Sequence, residues 1–322
     1  MDRVVVGESM NILMIGNKES GKTTYMASAF GLLEGGVSGF YIKTDVSSKT
    51  WFRKLFSEIK NGNYPNATDK RSTFEFELYH DQTKILDFNW IDYNGGIITE
   101  QSIDNLEKDI AQSEGMMIFL EADALWRNNT SVHKFRRILA LIANHLENSE
   151  HPLFSVVIVL TKYDRISADV GLDEVTEHIK MFLDDAKNND KIYVRVVPVS
   201  CTDKGFYNVE LPLLDILDSG MKIEYLTTIL EAKAYAEEFE KYHNKRSLID
   251  WAISRFLGVK TNGEIAEEYR EQAQRKIQLY ESIKTPTENL SSYISNYSIM
   301  FPNVIKNIDV IKNKKSRNFI DL

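Results

Sequence analysis

At 322 residues, 43% hydrophobic and 27% charged, the chain has the composition of a soluble globular protein with room for one large domain or two modest ones. A net charge of −8 argues against a primary nucleic-acid binder, although it leaves room for a local basic patch. The one cysteine, Cys201, permits no internal disulfide, and MDRVVVGESM lacks the basic-then-apolar layout of a signal peptide, so a reducing, cytoplasmic setting is expected.

In chain order, seven short apolar runs read as strands: MNILMIG, GFYIKT, STFEFELYH, KILDFNWID, GMMIFLEA, FSVVIVLT and KIYVRVVPVS. The longest apolar runs fall far short of the ~20 residues that cross a bilayer. Between the strands lie amphipathic stretches with helical spacing: KTTYMASAFGLL, SKTWFRKLFSEIK, SVHKFRRILALIANHL and DEVTEHIKMFLDDAK. This alternation predicts an α/β fold, a mostly parallel sheet with helices on both faces. Only DQT separates STFEFELYH from KILDFNWID, which predicts an antiparallel hairpin at one edge of the sheet.

Beyond residue 220 the strand signals stop. IEYLTTILEAKAYAEEFEKY, SLIDWAISRFL, NGEIAEEYREQAQRKIQLYESI and TENLSSYISNYSI read as separate helices, giving a domain over 1–220 and an all-helical module over 221–322. In the third helix, Ile265, Tyr269, Ala273, Ile277, Tyr280 and Ile283 form one stripe, read as core packing. The tail carrying Lys306, Lys312, Lys314, Lys315 and Arg317 suits an anionic membrane or nucleic-acid backbone, but a solvated tail is the better reading. The six histidines show no metal-ligand spacing.

GNKESGKT follows the first strand and opens the first helix, matching G-x-x-x-x-G-K-[ST]. Backbone N–H groups from Gly16 through Asn17, Lys18, Glu19, Ser20 and Gly21 to Lys22, Thr23 and Thr24 are the candidate phosphate cradle, facing the positive end of the helix. Lys22 would place its ammonium on the terminal phosphates, and the Thr23 hydroxyl would ligate magnesium. A carboxylate is unwelcome in such a loop, so Glu19 must point outward or meet a cation such as Lys18.

The base is read elsewhere. In LTKYD, ending a strand, the Asp164 carboxylate can accept both the N1–H and the 2-amino group of guanine, whereas adenine offers neither pair. Thr161 opens that turn and the Lys162 stem would cover one face of the base. Ser200 and Cys201 end the next strand, where a backbone N–H meets guanine O6. In WIDYNGG, Asp92 can hold magnesium through water and the Gly95 N–H can sense the γ-phosphate. A threonine must reach the metal between these segments; Thr68 in YPNATD is the choice, with Thr44, Thr50 and Thr73 as competitors and the first two tied to a strand and a helix start.

In this order GNKESGKT, a threonine before the hairpin, DYNG, TKYD and SC resemble the Ras-like, translation-factor-type P-loop GTPases over residues 8–220. SGKTTYMASAF and G-x-YP-x-x-T look more narrowly like the bacterial double-GTPase families, often associated with biological-conflict systems. The resemblance implies a Ras-like fold, GTP or GDP and Mg²⁺ as ligands, and Lys22, Thr68 and Gly95 as catalytic positions. The expected protein is a GTP-binding switch whose C-terminal helical module passes the nucleotide state to a protein effector. Two departures stand out. Thr23 and Thr68 are 45 positions apart, enough for an extra helix, and Gly96 stands where many members carry a water-orienting glutamine. Hydrolysis is then slow, or takes its orienting group from Glu100, Gln101 or a partner. An ATPase and a binding module without hydrolysis remain as rivals.

Overall fold

The computed structural model describes residues 9–66, 71–93, 100–127, 138, 142, 154–188, 192–243, 260 and 262–295. The expected helices SVHKFRRILALIANHL (apart from Ile138 and Ile142) and SLIDWAISRFL, and the basic tail, lie outside these residues. The chain forms two compact units, one of Glu8–Gly220 and Leu290–Leu322, the other of Met1–Gly7 and Met221–Asn289.

The first unit is built on β1 (Met10–Gly16), β2 (Phe40–Thr44), β3 (Ser72–His80), β4 (Thr83–Asp92), β5 (Gly115–Glu121), β6 (Phe154–Thr161) and β7 (Ile192–Pro198). They form one sheet in the order β2-β3-β4-β1-β5-β6-β7. β3 alone runs antiparallel to its neighbours, pairing with β2 and β4, and the four pairings from β4 through β1, β5 and β6 to β7 are parallel. All seven expected strands form, and the sheet is the α/β layer anticipated. The hairpin prediction needs one correction: β3 and β4 pair as expected, but β2 lies outside them and is the edge strand. Phe40 and Ile42 are buried on one face of β2 while Lys43 is exposed on the other, so β2 adds one more core face to the sheet beyond β3.

One face of the sheet carries α1 (Lys22–Gly35) and α2 (Val46–Lys60). α2 begins on Asp45, whose carboxylate accepts from the N–H groups of Ser47 and Ser48. Phe30, Phe52, Phe76, Phe88 and Trp90 interlock beneath these helices with ring separations of 5.0–6.2 Å. The two helices approach closely because of Gly31: a Cβ there would sit 2.2 Å from the Phe56 ring. The opposite face packs α3 (Glu100–Ala111), α4 (Ala122–Trp126), α5 (Leu172–Thr176) and α6 (Lys180–Asn188) over Leu13, Ile118, Val156, Ile158 and Val194. A two-stranded hairpin, β8 (Ser200–Thr202) with β9 (Gly205–Tyr207), follows β7.

α7 runs unbroken from Leu211 to His243, so the change of character near residue 220 falls inside a helix rather than in a loop. A Cβ on Gly220 would come within 2.4 Å of the Met10 side chain, which accounts for a glycine in a helix interior that otherwise costs about 1 kcal/mol. The Tyr25 hydroxyl, buried beneath α1, accepts from the Leu213 N–H at 3.1 Å and satisfies one of the orphan donors in the first turn of α7. Against β7, Arg195 pairs with buried Asp215 of α7 at 3.0 Å and donates to the Tyr193 hydroxyl. Ser291 donates to Asp218 at 2.6 Å, and Leu290, Tyr293 and Ile294 are buried with it.

α8 (Asn262–Ser295) is one helix where the sequence suggests two; it continues through Pro286. Proline removes one helical hydrogen bond and crowds the preceding turn, and buried Thr287, Leu290, Tyr293 and Ile294 just beyond it favour continuation. In the second unit Tyr269 stacks on Tyr242 at 5.8 Å and meets Tyr235 at 6.1 Å, and Lys276 pairs with Glu231. These pairs run in opposite order along the two helices, which are therefore antiparallel. The expected stripe is only partly a core: Ala273 is buried but Ile277 is 41% exposed.

Candidate nucleotide-binding site

The carboxyl ends of β1, β4 and β6, with the segment after β7, converge on one end of the sheet, where ligands of parallel sheets bind. The loop between β1 and α1 occupies the centre. Gly16 is required there, since a Cβ would meet the Ser20 Oγ at 2.6 Å and the Phe119 backbone oxygen at 2.9 Å. Gly21 takes a left-handed φ of 87° at the start of α1, and Glu19 takes one of 66° with its side chain exposed.

Lys22 curls back over its own loop, donating to the Gly16 carbonyl at 3.0 Å and the Asn17 carbonyl at 3.3 Å. The Ser20 N–H donates to the same Asn17 carbonyl at 3.2 Å. Burial lowers the Lys22 pKa, and the nearby Asp92 carboxylate partly opposes this. Thr161, at the end of β6, braces the loop by donating to the Ser20 carbonyl at 2.7 Å.

A cavity of about 310 Å³ opens over this loop. Its walls include Lys18 through Thr24 from the loop and α1, Thr161, Lys162 and Asp164 from the β6 turn, and Cys201. The segments expected to hold phosphate and base therefore face one space. The turn that carries Asp164 is stitched in place by three bonds: Tyr163 N–H to the Val199 carbonyl, Val199 N–H to the Leu160 carbonyl, and Asp164 N–H to the Ser200 Oγ at 2.9 Å. Ser200 thus braces Asp164 from behind. Lys162 has a left-handed φ of 54°, and its ammonium pairs with Glu121 at 2.9 Å. The same Glu121 accepts from Arg165 at 3.0 Å. Burial pushes the Cys201 thiol up to about 12, so it stays protonated and is no nucleophile at neutral pH.

Sequence reasoning missed several of these side chains. Glu121 holds Lys162, while Arg165, Thr202, Tyr64, Pro65 and Asn66 also line the cavity. Arg165 and Thr202 lie within a residue of the two motifs; the signal for Tyr64 was an aromatic in an otherwise polar loop.

Thr68, Gly95 and Gly96 lie outside the described residues. Glu100 and Gln101 open α3. Of the competing threonines, Thr44 donates to the Glu75 carbonyl at 2.6 Å and Thr50 to the Val46 carbonyl at 2.8 Å, as a strand and a helix start would hold them. Arg71, just after Thr68 in sequence, donates to buried Asp109 of α3 at 2.8 Å.

The residues present fit a magnesium ion. Asp92 is 4% exposed and its Oδ1 has no hydrogen-bond partner among the described residues. A carboxylate of this kind, with the Thr23 hydroxyl, is the hard-oxygen donor set that Mg²⁺ takes. Burial raises the Asp92 pKa to about 6, with Lys22 opposing the rise. The sign follows: a folded pKa above the ordinary value means that ionised Asp92 costs stability, with no cost below pH 3.8, growing cost from there to about 6, and full cost above. At about 1.4 kcal/mol per unit the cost reaches about 3 kcal/mol. Metal-free Asp92→Asn should accordingly be more stable than wild type at pH 7, with the difference gone near pH 4. Urea midpoints in chelator at the two pH values check this, and a pH-independent difference contradicts it.

A seven-stranded, mostly parallel sheet with a glycine loop, lysine and threonine between β1 and α1 defines a P-loop GTPase fold. Residues 13–140 match the model of the Double-GTPase 1 family. No curated protein matches the chain. Among solved structures, the S. cerevisiae Ski7 GTPase-like domain, bound to GDP and inorganic phosphate, is similar at 17% identity with a TM-score of 0.40. That likeness covers 60% of this chain and 43% of the other. Among the described residues, no helix is long and apolar enough to cross a membrane.

Proposed function

We propose that the protein is a magnesium-dependent, cytoplasmic GTP-binding switch that hydrolyses GTP to GDP slowly and reports its nucleotide state to a protein effector through residues 221–322. The observation that carries the reading is the single cavity lined by both the phosphate loop and the Asp164 turn. Lys22 would release its two carbonyls for the terminal phosphates, and the loop amides would hold the remaining phosphate oxygens. Bound magnesium would neutralise charge on the β- and γ-phosphates. Asp92 and Thr23 would hold it, with Thr68 as third candidate and the Gly95 N–H sensing the γ-phosphate. Gly96 supports the slow rate, because it has no side chain to orient the attacking water.

Base choice tests the reading directly. Asp164→Asn should weaken GTP by ~10²–10⁴-fold, since two hydrogen bonds to a charged acceptor are lost. The amide can donate to the 2-oxo group of xanthine, so the variant should prefer xanthosine triphosphate. Competition titrations decide it: if the variant keeps the wild-type preference for GTP over XTP, Asp164 does not read the base. ATP binding as tight as GTP binding in the wild type would favour the ATPase alternative.

A further inference from the structure

The described residues after α2, 61–66, lie towards the β8–β9 hairpin. Phe56, in the last turns of α2, packs its ring 5.3 Å from Phe206 of β9. Gly62 turns with a φ of 79°, and a Cβ there would lie 3.7 Å from the Asp203 carboxylate. Two residues on, the Tyr64 hydroxyl lies near enough to Asp203 for that carboxylate to act on its pKa. The phenol thus stands beside the same hairpin that carries Cys201 and Thr202.

Tyr64 is 49% exposed and lines the cavity together with Lys162, Asp164 and Cys201. It lies close enough to Asp164 for that carboxylate to help raise its pKa, after burial and Asp203. An open aromatic surface beside the candidate base reader suits a flat π-system, and a purine supplies one.

We infer that Tyr64 is a further nucleotide-recognition residue, whose ring packs against the base and forms a wall of the cavity distinct from the Lys162 stem. This rests on the guanine-nucleotide reading and deepens it. Stacking is tolerant of base identity, because every base has a π-face. Tyr64 therefore sets how tightly a nucleotide is held, whereas Asp164 sets which one. The inserted α2 segment thus has a task, which is to carry this wall to the pocket.

The test uses the full chain and three probes: GDP, inosine diphosphate and inorganic pyrophosphate. Tyr64→Ala should weaken GDP and inosine diphosphate by the same factor, roughly 5- to 100-fold, and leave pyrophosphate unchanged. Tyr64→Phe keeps the ring and should recover most of the loss. Wild-type GDP affinity in Tyr64→Ala overturns the inference alone, as does an equal loss for pyrophosphate, which would place the effect on the phosphates. A wild-type protein that binds no GDP overturns the guanine reading and this inference together.

Discussion

Lys22→Ala is expected to remove tight GTP binding while leaving the fold in place. The ammonium is now held by two carbonyls of its own loop at 3.0 and 3.3 Å, and burial has already made its charge unfavourable. The folded protein therefore gains little from that charge until phosphate arrives. With nucleotide present the same group faces two or more phosphate oxygens, each such bond contributing about 1.5–3 kcal/mol. Loss of two is ~10²–10⁴ in affinity. Titration calorimetry with magnesium reads the affinity and thermal unfolding reads the fold. Equal GTP affinity in wild type and variant would remove the phosphate-loop assignment.

The second large effect lies away from the cavity. Arg195→Met should destabilise the first unit by about 3–5 kcal/mol, because it leaves the Asp215 carboxylate, 2% exposed, without its guanidinium. Set against a typical domain stability of about 5–15 kcal/mol, that is a large share. Asp218 and the Tyr193 hydroxyl also face Arg195, so the guanidinium serves more than one neighbour. The double variant Arg195→Met/Asp215→Leu removes charge on both sides and should recover most of the loss. Urea unfolding followed by circular dichroism compares the three; a double variant as unstable as the single one would mean the charge pair is not the cause.

The phosphate loop and the Asp164 turn were legible in the sequence because each is contiguous and sits at the end of a strand that its own apolar run announces. The seven strands were legible for the same reason. The position of β2 was not: its alternation shows a buried face, but which neighbour completes it depends on pairing with β3 across the whole of α2. Helix boundaries failed where packing overrode local signals, at Gly220, which Met10 explains, and at Pro286. Tyr64 showed only as an aromatic in an otherwise polar loop, within a family-like motif. Its path to the cavity depends on Phe206 and Asp203, far along the chain.

The first unit is not continuous in sequence: Leu290, Ser291, Tyr293 and Ile294 join it from beyond the second unit, with Ser291 bonded to Asp218 and Tyr293 6.0 Å from Phe40 of β2. During synthesis the ribosome must therefore add about 70 further residues after Gly220 before the nucleotide-binding unit can close. At roughly 5–20 residues per second that is a delay of about 4–14 s. Through that interval the β2 edge and the Asp218 side of α7 wait for their last cover, so the nascent chain has a defined period in which a chaperone or a neighbouring copy can reach them.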